Sequence, residues 1–108
     1  MLKPLLTLLL ILISLTTLRA QNGTITGKVV DEETGEELIG VNVLIEGTTM
    51  GSSTDLSGVY NISIEPGTYN IVATYISYTN QTIQGVEVQP GKVTEINIAL
   101  GTGSIQLE

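Results

Sequence analysis

Val59-Tyr60-Asn61-Ile62-Ser63-Ile64-Glu65-Pro66-Gly67-Thr68-Tyr69-Asn70-Ile71-Val72-Ala73 carries the reading that decides the fold. Apolar side chains recur at every second position, the period of a half-buried strand rather than of a helix. Tyr60, Ile62 and Ile64 share one side of a first strand, Val59 to Ile64. Tyr69, Ile71, Ala73 and Tyr75 share one face of a second, expected to run from Thr68 to about Tyr78, with Val72 and Ile76 on the other face. Between the two, Glu65-Pro66-Gly67 is a turn, because proline presets φ and glycine accepts a positive one.

The same alternation extends outward in both directions. Thr24 to Val30 places Ile25 and Val29 on one face and Thr24, Thr26 and Lys28 on the other. Asp31 to Glu37 is an acidic loop in which Gly35 supplies the positive φ. Val41, Val43 and Ile45 alternate with Asn42, Leu44 and Glu46, and Gly47 to Thr54 holds a short edge strand. Asp55-Leu56-Ser57-Gly58 reads as a tight turn. Beyond the central pair, Thr79 to Gln84 is polar and suits a crossover or an edge. Val86 and Val88 precede the turn Gln89-Pro90-Gly91-Lys92, and a last strand, Val93 to Leu100, turns Ile96, Ile98 and Leu100 inward. Short strands separated by turn signals every 8 to 12 residues or so predict an all-β domain, a seven-stranded antiparallel β-sandwich.

The first 20 residues are of different composition. Met1-Leu2-Lys3-Pro4 carries a single cation, Leu5 to Leu18 is predominantly apolar, and Leu18-Arg19-Ala20 ends on a small residue before Gln21. This three-part pattern predicts a signal peptide over residues 1–20, with an uncleaved N-terminal anchor as the alternative. A spanning helix needs about 20 apolar residues, more than this stretch supplies. The expected domains are thus the signal peptide, a sandwich over 21–100 and a linker over 101–108, where Gly101-Thr102-Gly103-Ser104 is rich in small residues. The chain has no cysteine, so attachment through a lipidated N-terminal cysteine is not open to it, and disulfides cannot stabilise the sandwich.

Charge and composition narrow the chemistry. Past Ala20 only Lys28 and Lys92 stand against all 11 acidic residues. Nucleic acids and anionic lipid surfaces both call for a cationic face, so neither is an expected partner. With no histidine and no cysteine, the chain can build neither Ser-His-Asp nor Cys-His catalysis nor a His- or Cys-based zinc site. No catalytic residue, cofactor or resident metal is expected. Asp55 and Ser57 are the candidates for a cation-binding turn, since Asp55-Leu56-Ser57-Gly58 opens like a calcium loop. The competing reading is an Asx turn in which Asp55 accepts backbone N–H groups. Asp31 to Glu37 is similarly either a cation contact or a solvated loop, and Tyr75 with Tyr78 either a contact patch or packing.

Taken together, the segments form a known pattern. Gly23-Thr24-Ile25-Thr26-Gly27-Lys28-Val29-Val30-Asp31 resembles the opening strand of the carboxypeptidase-regulatory-like domain family. Thr34 to Val43, with its Gly40-Val41-Asn42-Val43 run, is similar to the family's next strand entry. Gly47-Thr48, Gly51 and Thr54-Asp55-Leu56-Ser57-Gly58-Val59-Tyr60 match a further stretch, and Pro66-Gly67-Thr68-Tyr69 and Tyr75-Ile76-Ser77-Tyr78 complete it. Ser77 stands where the family often has glycine. The resemblance covers nearly all of residues 23–100 and implies a transthyretin-like (prealbumin-like) sandwich without catalysis of its own.

A leader ending at Ala20-Gln21, followed at once by this domain, resembles the N-terminus of Bacteroidetes TonB-dependent outer-membrane receptors, and residues 101–108 resemble the linker toward their energy-coupling segment. That likeness implies a fragment of a nutrient receptor of a Gram-negative bacterium, in the periplasm or at the outer membrane. It implies a periplasmic protein partner, with membrane contact only through the missing barrel. The alternatives are a stand-alone or enzyme-appended secreted spacer and a carbohydrate-contact or adhesion module.

Overall fold

The alternation read above becomes eight strands in the computed structural model, which describes residues 21–102. They are β1 (Gly23–Asp31), β2 (Asn42–Ile45), β3 (Gly51–Ser53), β4 (Val59–Ile64), β5 (Gly67–Thr74), β6 (Gln81–Val88), β7 (Val93–Glu95) and β8 (Ile98–Leu100). One sheet runs β4-β1-β7, with β8 also on β1. The other runs β3-β2-β5-β6. No helix occurs among the described residues. The expected signal peptide, residues 1–20, and residues 103–108 of the expected linker lie outside them.

The inner faces are those the periodicity selects. Ile25 and Val29 of β1, Tyr60, Ile62 and Ile64 of β4, and Ile98 and Leu100 of β8 line one layer. Val43 and Ile45 of β2, Ile71 and Ala73 of β5, and Val86 and Val88 of β6 line the other. Val41 and Leu38 close one end. Burying a Val, Leu or Ile side chain contributes roughly 1.5–3 kcal/mol. With no Phe or Trp in the chain, these aliphatic residues and Tyr60 supply the adhesion between sheets.

The sandwich departs from a seven-stranded antiparallel one in two ways. It has eight strands, and β7 and β8 run parallel to β1: Thr24↔Val93 to Thr26↔Glu95, then Val29↔Ile98 to Asp31↔Leu100. The expected last strand, Val93 to Leu100, is broken at Ile96-Asn97. The break is caused by Gly27, distant in sequence and adjacent in the fold. A β-carbon built there would run into the Ile96 carbonyl oxygen. Because glycine leaves the space empty, the chain at Ile96 sinks under β1, where the Tyr60 hydroxyl donates to that carbonyl at 2.6 Å. The Ile96 N–H donates to the Thr26 carbonyl at 2.8 Å, and the Lys28 N–H finds the Asn97 Oδ1 at 2.9 Å in place of a backbone acceptor. The backbone is thus satisfied across the break, as burial requires.

Two boundaries also differ from expectation. β5 ends at Thr74 rather than near Tyr78, because Tyr75 to Tyr78 turns, with Ser77 at φ 69° and the Tyr78 N–H on the Tyr75 carbonyl. The polar Thr79–Gln84 stretch resolves to an edge, since β6 begins at Gln81. β6 carries a bulge: Tyr69 faces Val86 and Ile71 faces Ile83, so Asn70 opposes both Gln84 and Gly85. Gly85 takes φ 71° there and donates its N–H to Asn70 Oδ1 at 3.1 Å, the glycine-based form of the β-bulge.

Candidate functional site

Because β1 and β8 are parallel neighbours, the chain enters at one pole of the sandwich and leaves at the other. At the entry pole Asn22 lies beside the Gln89–Lys92 turn, with the Gly91 N–H on its carbonyl and the Lys92 carbonyl accepting from Thr24. The exit pole gathers the β1–β2, β3–β4 and β5–β6 connections around Gly101. It holds six of the 11 acidic residues, Asp31, Glu32, Glu33, Glu36, Glu37 and Asp55, and all the side chains singled out above as candidates.

Asp31 organises this pole. Its Oδ1 accepts the Glu33 and Thr34 N–H groups at 2.8 and 3.1 Å, and its Oδ2 accepts the Tyr78 hydroxyl at 2.6 Å. The Tyr78 hydrogen bond, and then the two amides, hold the Asp31 carboxyl below its ordinary value. The same bond, with help from desolvation, pushes the Tyr78 phenol up to about 12. The rings of Tyr75 and Tyr78 lie 5.5 Å apart, tilted by 40°, a favourable aromatic geometry. On either side of Tyr78 the departing chain is tied down. Glu32 N–H donates to the Leu100 carbonyl at 3.0 Å and Thr79 N–H to the Gly101 carbonyl at 2.8 Å.

The candidates Asp55 and Ser57 meet through backbone rather than through the Ser57 hydroxyl. Asp55 Oδ1 accepts the Ser57 N–H at 2.9 Å and the Val59 N–H at 3.0 Å, and these amides lower its carboxyl from the ordinary value. The Gly58 N–H closes on the Asp55 carbonyl at 2.9 Å. This is the hydrogen-bond pattern of an Asx turn. Among the described residues, no group of three or more Asp, Glu, His or Cys side chains converges as a metal-ligand set. Lys28 pairs with Glu37 at 3.0 Å, both about half exposed, and so the pair adds little to stability.

Two features of this pole had no local signal in the sequence. Thr54, the buried polar residue, donates its hydroxyl to the Leu38 carbonyl at 2.6 Å and accepts the Val41 N–H at 2.9 Å. One hydroxyl therefore ties the Leu38–Val41 end of the β1–β2 connection to the residue that follows β3. The Asp31–Tyr78 bond joins residues 47 positions apart, and neither residue predicts the other by spacing. Outside these ties the connections present apolar side chains to solvent. Leu56 and Ile76 are each 84% exposed, and Ile39 is half exposed. Elsewhere the depressions are shallow and open, as between β6 and β7 along Ile83, Glu87, Thr94 and Ile96. Every buried side-chain nitrogen and oxygen of the described residues has a hydrogen-bond partner.

Fold and site together define a small β-sandwich module, strung end to end on its chain, with an acidic exit pole. The chain belongs to the family of CarboxypepD_reg-like domains, whose model matches residues 25–108. It is 31% identical over 107 residues to "TonB-dependent receptor P3" of Formosa agariphila, covering 99% of this chain and 10% of that protein. It is 41% identical over 64 residues to "TonB-dependent receptor SusC" of Bacteroides thetaiotaomicron, covering 59% of this chain and 6% of that one. The chain thus spans a tenth or less of these relatives. Among solved structures, a chain of a type II Cohesin-X-Dockerin complex from Acetivibrio cellulolyticus superimposes with a TM-score of 0.65 at 23% identity, over 79% of this chain and 61% of that one. That is a likeness of fold alone.

Proposed function

We propose that this chain is the non-catalytic accessory domain of a TonB-dependent outer-membrane receptor, exported to the periplasm and working there through contact with a protein partner. The observation that carries the reading is the match of 99% of the chain to one tenth of a TonB-dependent receptor. In this reading residues 1–20 are the export signal, 21–100 the folded domain and 101–108 the start of the linker to the rest of the receptor. The side chains favour contact over chemistry. At the exit pole the Asp31 and Asp55 carboxylates accept backbone amides, Asp31 also accepts the Tyr78 hydroxyl, and Asp55 and Ser57 share an Asx turn. The contact surface is the exit pole, where Ile39, Leu56 and Ile76 stand exposed beside the point at which the chain continues.

The test is made in the gene that carries these codons. The reading expects an open frame past codon 108, a mature protein beginning at Gln21, and loss of nutrient uptake at unchanged receptor abundance when codons 21–100 are deleted. A stop at codon 109, or full uptake by the deleted receptor on every nutrient the intact one imports, would remove it.

A further inference from the structure

The entry and exit of the described chain are joined by one continuous seam. The chain passes from Asn22 directly into β1 and from β8 directly into Gly101, with no loop between either end and its strand. β1 has nine residues, which at roughly 3.3 Å each separates the two poles by about 30 Å. Along that length β1 is bonded to the last strands almost throughout. Thr24 N–H meets the Lys92 carbonyl at 2.9 Å, Thr26 carbonyl the Ile96 N–H at 2.8 Å, and Glu32 N–H the Leu100 carbonyl at 3.0 Å. The two parallel ladders lie between these points, and Asn97 Oδ1 bridges the gap at Lys28.

This arrangement fixes how tension acts. Pulling the two ends apart drags β1 toward the entry pole and β8 toward the exit pole. The strands are parallel, so the load lies along the seam and strains all of its hydrogen bonds together. If the load were applied across the seam at one pole, the same bonds would open one after another. The break at Ile96-Asn97 adds a mechanical stop. The Ile96 carbonyl occupies the notch left by Gly27 and is held there by the Tyr60 hydroxyl. Sliding must lift it out of the notch past the neighbouring β1 residues, which carry side chains.

We propose that the sandwich is a load-bearing link, in which the β1–β7–β8 seam, with the Ile96 carbonyl seated at Gly27, carries tension between whatever is attached at the two ends. This holds whichever larger protein contains the chain, so it stands apart from the receptor reading. Resistance of this kind is a property of the unfolding barrier rather than of equilibrium stability.

The experiment is single-molecule force spectroscopy on the full chain. It has no native cysteine, so handles attach only where cysteines are introduced. One version carries Asn22→Cys with Thr102→Cys, loading the seam end to end. The other carries Glu33→Cys with Thr102→Cys, loading it from the exit pole alone. All three positions are exposed. The end-to-end version is expected to rupture in a single step at several-fold higher force than the same-pole version. Tyr60→Phe combined with Asn97→Ala is expected to lower the end-to-end force. Equal forces in the two directions overturn the proposal, as does an end-to-end force that the double variant leaves unchanged. If the double variant does not fold, the comparison of directions alone decides the matter.

Discussion

Asp31 and Tyr78, together with Asp55 and Tyr60, make the stability of the molecule depend on pH. A carboxylate held below its ordinary value contributes stability that is fully present above its unfolded value, near 3.8, and is lost as pH falls through the folded one. Asp31 and Asp55 both act in this sense. Tyr78, held by Asp31, and Tyr60, desolvated in the core, are pushed up to about 12. They act in the opposite sense, with stability fully present below their unfolded value near 10 and lost as pH rises through the folded one. Stability measured by urea denaturation should therefore be nearly flat from about pH 5 to 9 and fall on both sides. Tyr78→Phe should raise the Asp31 pKa toward its ordinary value and shrink the acid limb. Carboxyl NMR of Asp31 reads this directly, and a titration indifferent to the substitution would refute the assignment. At this scale little was legible beforehand. Asp55-Leu56-Ser57-Gly58 announced a turn because turn chemistry is local. The Tyr78 and Thr54 bonds join positions that only the finished fold brings together.

The strands themselves were legible wherever burial imposed a period of two, as in Tyr60, Ile62 and Ile64 or Val41, Val43 and Ile45. Their ends and directions were not. Alternation does not distinguish a strand from the extended residues past it, so the pattern carries β5 on into what is the Tyr75–Tyr78 turn. Nor does it distinguish a parallel neighbour from an antiparallel one. The break between β7 and β8 is dictated by a glycine some 70 residues earlier, and no pattern within Val93 to Leu100 betrays it. Gly27 therefore offers a strict test at the level of the element. Its φ is not left-handed, so alanine meets no backbone strain, only the Ile96 carbonyl and the Tyr60 ring. Gly27→Ala should cost roughly 1–3 kcal/mol, the range for overpacking a closed site. It should also perturb the amide resonances of Ile96 and Asn97 more than those of β5 and β6. A neutral effect on the denaturation midpoint would mean that the close approach is not what breaks the strand.

For the molecule as a whole, the pairing of the first strand with the last makes folding depend on the entire length. β1 gains β4, β7 and β8 only when residues 59–100 are all present. Contacts so distant in sequence are slow to form. A chain ending after Gln89 lacks the strands on one side of β1 and should show no cooperative thermal transition, whereas the full chain should show one. A cooperative transition in the shortened chain would mean that the seam is dispensable. The all-β sandwich was readable from turn spacing and composition, but which strands border one another was not, because that is decided by packing between sheets. The bulge on β6 has a last consequence, which concerns copies of the molecule rather than any one of them. β6 is an eight-residue strand on the border of its sheet, the kind of border on which a second molecule can lay a strand of its own and begin a fibre. Gly85 kinks it near the middle, and Thr94 occupies the Glu87 carbonyl at 2.9 Å. An incoming strand finds only short, misaligned stretches to follow, so this glycine favours solubility at high concentration over a regular ladder.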